Sequence, residues 1–88
     1  MIEAVFKITY PYGMHARPAT VIVAKANSFQ SRMTLVYKDN KVNLKSIMGV
    51  MSQGIPRFGE FKITADGRDE VLAMEAIRRT IEEINSNL

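Results

Sequence analysis

The residues best suited to chemistry lie in residues 13–19, Gly-Met-His-Ala-Arg-Pro-Ala, which hold the only histidine of the chain. An imidazole placed just before a helix would lie beside unpaired N–H groups at the positive helix end, a combination that binds anions. A neutral ring nitrogen there could attack a phosphoryl group. Arg17 could then neutralise the phosphoryl oxygens carried by His15. On these residues alone, a surface histidine without a function remains the alternative.

The rest of a phosphoryl-transfer site is missing from the sequence. It contains no Walker-type glycine loop with a lysine, and no pair of carboxylates close to His15 that could hold magnesium. Because the chain has no cysteine and one histidine, we expect no metal centre and no cofactor. The chain could receive a phosphoryl group from one protein and pass it to another, but it should not be an enzyme by itself.

Ser46 is the second candidate for phosphoryl chemistry. It precedes the apolar run of residues 47–51, where it would be the N-cap of one or two helical turns. The plain interpretation is a capping serine, and the functional one is a regulatory phosphorylation site, since a phosphate is favourable at a helix start. Ile47, Met48 and Met51 could form an exposed apolar patch for partners or part of the core, and their spacing does not decide between these.

Composition and length are typical of one globular domain, and we expect residues 1–88 to form it. Hydrophobic residues make up 47% of the chain and charged residues 24%, which argues against disorder. No signal peptide and no apolar run of about 18 residues occurs, so we expect a cytoplasmic protein without membrane insertion. We also expect a monomer.

Charge is distributed unevenly along the chain. Residues 1–58 carry eight basic and two acidic side chains, whereas residues 59–88 carry four basic and seven acidic ones. The half that holds His15 is therefore basic, which suits a phosphate-bearing or acidic partner, although scattered solvated lysines would give the same balance. Nucleic-acid binding has only this charge and the tyrosines in its favour, and without a base-reading motif we do not expect it.

Hydrophobic periodicity predicts the element order β-α-β-β-α-β-α. Strand patterns occur at residues 2–9, 33–37, 41–44 and 60–65, where apolar and polar residues alternate. Apolar residues at intervals of three and four positions predict a last helix that reaches Leu88, with Asp69 as its cap. Residues 16–27 favour a helix, but the β-branched cluster at 21–23 leaves a buried strand as the alternative. These elements predict an α+β fold in which three helices cover one face of a four-stranded antiparallel sheet.

Two segments resemble the signatures of one protein family. Residues 13–19 resemble the phosphohistidine signature of the HPr family, the histidine-containing phosphocarriers of the bacterial phosphoenolpyruvate:sugar phosphotransferase system. Residues 41–52, Lys-Val-Asn-Leu-Lys-Ser-Ile-Met-Gly-Val-Met-Ser, resemble its second signature in Gram-positive-type members. Length and motif spacing agree as well, so the resemblance covers essentially the whole chain and implies the open-faced β-sandwich of that family.

The resemblance implies that His15 accepts a phosphoryl group on Nδ1 from phospho-enzyme I and donates it to IIA components of sugar permeases, while Arg17 helps to neutralise it. Ser46 would be the substrate of HPr kinase/phosphorylase, whose product binds a catabolite-control transcription factor. The alternative is an HPr-like regulatory protein that works mainly through phospho-Ser46, against which the presence of His15 argues. The expected partner surface consists of Met14, Thr20, Ile47, Met48 and Met51.

Several residues depart from the pattern of that family. The approach to the active turn, Tyr10-Pro11-Tyr12, is bulky, and Pro56-Arg57-Phe58 is foreign to the loop before the last strand. Ala24 stands where many members carry glutamine, and Gln53 replaces the usual leucine. None of these residues lies at a phosphorylation site, so we expect them to affect the choice of partner rather than the chemistry.

Overall fold

A computed structural model describes residues 1–87, without the side chain of Asn87, as four strands and three helices in the predicted order. The strands are β1 (Ile2–Lys7), β2 (Arg32–Tyr37), β3 (Asn40–Asn43) and β4 (Glu60–Asp66), and the helices are α1 (Ala16–Ala26), α2 (Ile47–Met51) and α3 (Glu70–Asn87). The strands form one antiparallel sheet in the order β1-β4-β2-β3. The predicted α+β architecture is confirmed, while Leu88, predicted to end the last helix, lies outside the described residues.

One face of the sheet is buried because every second residue of the strands is apolar. Met33 and Leu35 of β2 and Ile63 of β4 are fully covered, whereas Glu3 and Lys7 on the other face of β1 are exposed. The α3 helix packs on β1 and β4, and α1 packs on both α3 and α2. The sheet therefore separates a helical layer from an open polar face, as the alternation predicts.

The longest helix, α3, lays an apolar stripe against the sheet. Its buried apolar residues recur at spacings of one, three and four positions, and they are Ala73, Met74, Ile77, Ile81 and Ile84. Glu75 on its outer face pairs with Arg79 at 3.6 Å, one turn further on. No helix among residues 1–87 has the length and the apolar content needed to cross a membrane.

The β-branched cluster at the middle of α1 is helical, so the strand alternative is wrong. Ile22 and Val23 are both buried while Val21 is exposed, a pattern that fits a helix face and not the alternation of a strand. The lower helix propensity of such residues costs at most about 0.7 kcal/mol each, whereas burying one of them stabilises the fold by about 1.5–3 kcal/mol. Burial therefore decides the conformation here.

Asp69 precedes α3 as predicted, but its side chain does not cap that helix. Its carboxylate accepts hydrogen bonds from the N–H groups of Gln30 and Ser31, both at 2.9 Å, and from the Ser31 hydroxyl. Glu70 instead reaches back to the N–H of Gly67 at 3.1 Å. The predicted side-chain cap is wrong because the turn before β2 offers Asp69 three donors across the fold. Asp69 thus ties the start of α3 to the start of β2.

We expect Asp69→Asn to destabilise the fold near neutral pH and to matter less in acid. The Ser31 hydroxyl, followed by the Gln30 N–H, holds the pKa of Asp69 below its ordinary value of 3.8. Because the folded pKa is the lower one, the ionised carboxylate stabilises the fold above 3.8, and this contribution is lost as the pH falls through the folded pKa. The measurement is urea unfolding of the unchanged protein and of Asp69→Asn, from neutral pH down to below the folded pKa of Asp69. The difference between their free energies of unfolding should shrink as the pH falls.

The control variant is Asp66→Asn, which removes an exposed ion pair with the amino terminus at 3.8 Å. Its free energy of unfolding should stay within about 0.5 kcal/mol of the unchanged protein, because exposed ion pairs contribute little. An Asp69→Asn defect of equal size in acid and at neutral pH would show that the hydrogen bonds of the ionised carboxylate are not its cause.

Candidate functional site

His15 occupies the N-cap position of α1 with extended backbone, φ −90° and ψ −171°. Its N–H donates to the carbonyl of Gly13 at 2.9 Å, and its carbonyl accepts from the N–H of Ala19 at 3.0 Å. The imidazole is exposed and makes no capping hydrogen bond to the helix. The backbone of His15 is thus held in place while its ring stays accessible to a reactant.

The first turn of α1 provides a favourable place for a negative charge. The N–H groups of Ala16 and Arg17 have no acceptor among residues 1–87, and Pro18 has no N–H to offer. No acidic residue lies in this turn. The Arg17 side chain is exposed and takes part in none of the ion pairs of the described chain. Two backbone donors, a cation and the positive helix end therefore lie beside the imidazole.

The turn before His15 is docked on a segment 40 residues away. Gly13 has φ +70°, and a Cβ added to it would lie 2.5 Å from the carbonyl oxygen of Ile55 and 2.9 Å from the backbone nitrogen of Arg57. The N–H of Met14 donates to the same Ile55 carbonyl at 2.9 Å. Residues 55–57 therefore position His15, a role that no local pattern in the sequence indicated.

Met14 is buried, and its predicted place on the partner surface is wrong. Its side chain is only 3% exposed and packs in the hydrophobic core. Because His15 is extended and faces solvent, the side chain of its neighbour turns to the opposite, inner side. Met14 anchors the active turn instead of touching a partner.

Thr20 lies on the exposed face of α1 that begins at Arg17. Residues three and four apart share a helix face, so Arg17, Thr20, Val21 and Ala24, all exposed, line one strip. The Thr20 hydroxyl donates to the carbonyl of Ala16 at 2.7 Å. Of the site residues predicted in this region, Arg17 and Thr20 therefore share one exposed face of α1, whereas Met14 is buried.

Ser46 caps α2, and its Oγ accepts a hydrogen bond from the N–H of Gly49 at 3.0 Å. Of the apolar residues that follow, Val50 is fully buried, whereas Ile47, Met48 and Met51 are 42%, 82% and 38% exposed. The exposed alternative for these three residues is thus the correct one. We call Ile47, Met48 and Met51 the methionine patch.

The two candidate phosphorylation sites lie at opposite ends of α1. His15 is at its N-terminus, while the side chain of Asn27, its C-cap, donates to the carbonyl of Lys45 at 3.2 Å, next to Ser46. The rise of about 1.5 Å per residue from His15 to Asn27 separates the two ends of α1 by about 18 Å. This exceeds the screening length of about 8 Å at physiological salt, so a charge at Ser46 has little direct effect on the imidazole of His15.

No group of three or more His, Cys, Asp or Glu in residues 1–87 is arranged to hold a metal ion.

A hollow of about 410 Å³, bordered by Arg32, Lys41 and Lys45, lies at the edge of the sheet formed by β2 and β3, and His15 is not among its lining residues. The exposed ring of His15 therefore lies outside this hollow.

Of the residues that depart from the family pattern, Gln53 is the least explained by the structure. Its Nε2 makes long hydrogen bonds to the Gly49 carbonyl and the Ser52 hydroxyl, at 3.4 and 3.3 Å, and its Oε1 is buried without a hydrogen-bond partner in the part of the chain that the structure describes. Nothing in the structure accounts for glutamine here.

The chain is similar to known phosphocarriers over its full length. Residues 2–83 match the model of a family described as PTS HPr component phosphorylation site. The structure of HPr-C-His from Thermoanaerobacter tengcongensis is 38% identical, with 100% of this chain and 99% of that chain covered and a TM-score of 0.94. The histidine-containing phosphocarrier protein of a Mycoplasma is 38% identical, with 99% and 100% covered and a TM-score of 0.90.

A third similar structure belongs to Crh, a catabolite repression protein of Bacillus subtilis. It is 36% identical to this chain, with 96% of this chain and 97% of that chain covered and a TM-score of 0.75. The Crh crystal structure is described as a dimer with a swapped domain. Both phosphocarriers and a catabolite repression protein therefore share this fold and a substantial part of this sequence.

Proposed function

This chain belongs to the PTS HPr family of phosphocarriers, and we propose on that basis that its His15 carries a phosphoryl group between proteins of the phosphoenolpyruvate:sugar phosphotransferase system. In this proposal phospho-enzyme I is the donor and the IIA components of sugar permeases are the acceptors. The observation that carries it is the exposed imidazole of His15 at the N-cap of α1, followed by two N–H groups that find no acceptor within residues 1–87.

The transfer needs little beyond positioning and charge neutralisation from this chain. A ring nitrogen of His15, Nδ1 in this proposal, forms a bond to phosphorus while the bond from phosphorus to its carrier atom on the donor breaks. The new phosphoryl group brings a charge of roughly −2 next to the N–H groups of Ala16 and Arg17. The Arg17 guanidinium adds a charge-assisted hydrogen bond. The same bond then breaks in favour of an acceptor protein.

Incubation with phosphoenolpyruvate, magnesium and the enzyme I encoded by the same genome tests this function. We expect one phosphoryl group per chain, labile in acid and stable in base, which a purified IIA domain removes again. Absence of any label at saturating enzyme I would overturn the assignment.

We further propose that Ser46 is a regulatory phosphorylation site, for which its position beside the methionine patch is the supporting observation. A phosphate on Ser46 would alter the charge of a surface that partners of His15 can use, since its effect on the imidazole itself is screened. HPr kinase/phosphorylase would add the group, and a catabolite-control transcription factor would bind the product.

Ser46→Ala is expected to abolish labelling by the kinase and to leave labelling by enzyme I intact. The variant loses the hydrogen bond from the Gly49 N–H, so its free energy of unfolding should fall by about 1 kcal/mol. Ser52→Ala, which changes an exposed serine at the other end of α2, is the matched control and should remain a kinase substrate. Kinase labelling of Ser46→Ala at the normal rate would exclude this site.

A regulatory protein that works only through phospho-Ser46 is the second candidate function, and the 36% identity to Crh is the observation in its favour. It requires that the kinase labels the chain while enzyme I does not. The same relative bears on assembly, because the Crh crystal structure is a dimer. We propose that this chain acts as a monomer, which sedimentation equilibrium at micromolar concentration tests.

A further inference from the structure

Two loops that hold the active turn present aromatic side chains to solvent. Tyr12, three residues before His15, is 77% exposed, and Phe58, which follows the segment that supports Gly13, is 58% exposed. The rings of Tyr10 and Tyr12 meet edge to face with their centroids 6.0 Å apart. The guanidinium of Arg57 lies 4.6 Å from the centroid of the Phe58 ring. We call Tyr10, Tyr12, Arg57 and Phe58 the aromatic ridge.

Hydrogen bonds to the end of the first strand brace the aromatic ridge. The Nε of Arg57 donates to the carbonyl of Thr9 at 3.1 Å, and the N–H of Phe58 donates to the carbonyl of Ile8 at 2.6 Å. The carbonyl of Tyr10 in turn accepts from the N–H of Gly13 at 2.8 Å. The ridge and the turn that positions His15 are therefore parts of one interlocked structure.

Phe58 has a backbone conformation that a bulky residue rarely adopts. Its φ is +71°, in the left-handed region where glycine and asparagine are much less strained. Because the Phe58 ring is largely exposed, its burial contributes little free energy to offset this backbone strain. The stability of the chain alone would thus favour glycine or asparagine at this position, and a strained residue next to a reactive group suggests a role in function.

We propose that the aromatic ridge is the docking surface for the phosphoryl donor of His15, which is enzyme I in the proposed function on which this inference rests. Tyr and Arg are enriched among the residues that dominate binding energy at protein interfaces. Arg57 forms none of the ion pairs of residues 1–87, so its charge is available to a carboxylate of the donor. The matching donor surface is an apolar recess for Tyr12 and Phe58 with an acidic side chain at its border.

The rigidity of the ridge favours the donor over the acceptors as its partner. In the proposed function this chain has one donor, enzyme I, and several acceptors, the IIA components, and a surface that serves several partners must repack for each of them. The methionine patch can do so because methionine side chains are flexible. Aromatic rings with few rotatable bonds on a braced loop fit a single, constant partner instead. Both ridge segments depart from the family pattern, which points to a match with the enzyme I of the same genome.

The test is steady-state phosphorylation of Phe58→Gly by that enzyme I at saturating phosphoenolpyruvate. Glycine adopts φ +71° without strain, so the midpoint of thermal unfolding should be unchanged or higher while the ring is lost. We expect the KM for this chain to rise about tenfold and kcat to stay constant, because the ring contributes to docking and not to the chemical step. Tyr12→Ser should raise KM in the same way.

The matched control is Leu72→Ala, which removes an exposed apolar side chain at the start of α3. That end of the molecule lies beside the paired residues Ile2 and Ala65, at the opposite end of β1 from the ridge. Its KM for phosphorylation by enzyme I should equal that of the unchanged protein. Phosphoryl transfer from each phosphorylated variant to a IIA domain is measured in parallel. The KM of this second reaction should equal that of the unchanged protein.

The outcomes separate this inference from the proposed function. An unchanged KM of Phe58→Gly for enzyme I, with labelling still dependent on His15, would overturn the docking surface and leave the phosphocarrier function standing. If the KM of Phe58→Gly rises for transfer to IIA but not for phosphorylation by enzyme I, the assignment of the ridge to the donor is equally overturned. If the unchanged protein is not labelled at all, the proposed function fails, and the inference fails with it.

Discussion

Replacement of His15 by alanine is expected to abolish phosphorylation by enzyme I, with the rate reduced by at least about a thousandfold. In the proposed function the imidazole supplies the attacking nitrogen, and no other histidine or cysteine exists in the chain to replace it. Intact-mass measurement after incubation with phosphoenolpyruvate and enzyme I provides the readout. An acid-labile label on His15→Ala at the normal rate would exclude His15 as the acceptor.

The His15→Ala variant should fold normally, which makes its loss of function interpretable. The side chain is exposed and forms no capping hydrogen bond, so the free energy of unfolding should change by no more than about 0.5 kcal/mol. Arg17→Ala is the companion variant, because it keeps the nucleophile and removes the neighbouring cation. We expect Arg17→Ala to be labelled more slowly and not to lose the label, since the N–H groups of the first helical turn remain.

Among variants that affect labelling by enzyme I, Gly13→Ala is expected to have the second-largest effect, and it should lower stability as well. The added Cβ would meet the Ile55 carbonyl at 2.5 Å and the Arg57 nitrogen at 2.9 Å, and both are backbone atoms that cannot move alone. Positive φ and this overlap together should lower the free energy of unfolding by about 2–4 kcal/mol. The turn must also shift, and a displacement of about 1 Å at His15 can lower the transfer rate by about a hundredfold.

The chain offers a matched control for Gly13→Ala in Gly54→Ala. Gly54 also has positive φ, +60°, but apart from its chain neighbours no described residue lies within 4 Å of the position that its Cβ would occupy. Gly54→Ala should therefore show only the conformational cost of about 1–2 kcal/mol and keep its transfer rate. Urea unfolding and the rate of labelling by enzyme I measure both effects. Equal defects in the two variants would mean that contact with residues 55–57 does not position His15.

Several features of this fold are predictable because they depend on residues close in sequence. Alternation in the strands, the three-and-four spacing of α3 and the capping position of Ser46 are local patterns, and each is confirmed. The helix start after His15 is equally local, since Pro18 suits a first turn and Gly13 suits the preceding bend. These patterns sufficed for the α+β architecture and for the position of His15 at the start of α1.

Other predictions failed, or were left open, because distant residues decide them. Asp69 is a good helix cap by sequence, yet the donors of Gln30 and Ser31 claim its carboxylate. Met14 lies inside a reactive motif, yet its hydrogen bond to Ile55 and its burial turn it into the core. The spacing of residues along the chain does not show which distant groups will contact Asp69 or Met14 in the folded protein.

The amino-acid sequence by itself determined the chemistry available to this protein: one nucleophilic imidazole before a helix, a cation two residues on, and a serine at a second helix start. The tertiary structure decided how that chemistry is presented. It docks the active turn on residues 55–57, exposes the methionine patch and the aromatic ridge, and places Ser46 at the far end of α1 from His15. The physical reason is that residue types and helix starts are local properties, whereas exposure and support arise from contacts between segments that are distant in the sequence.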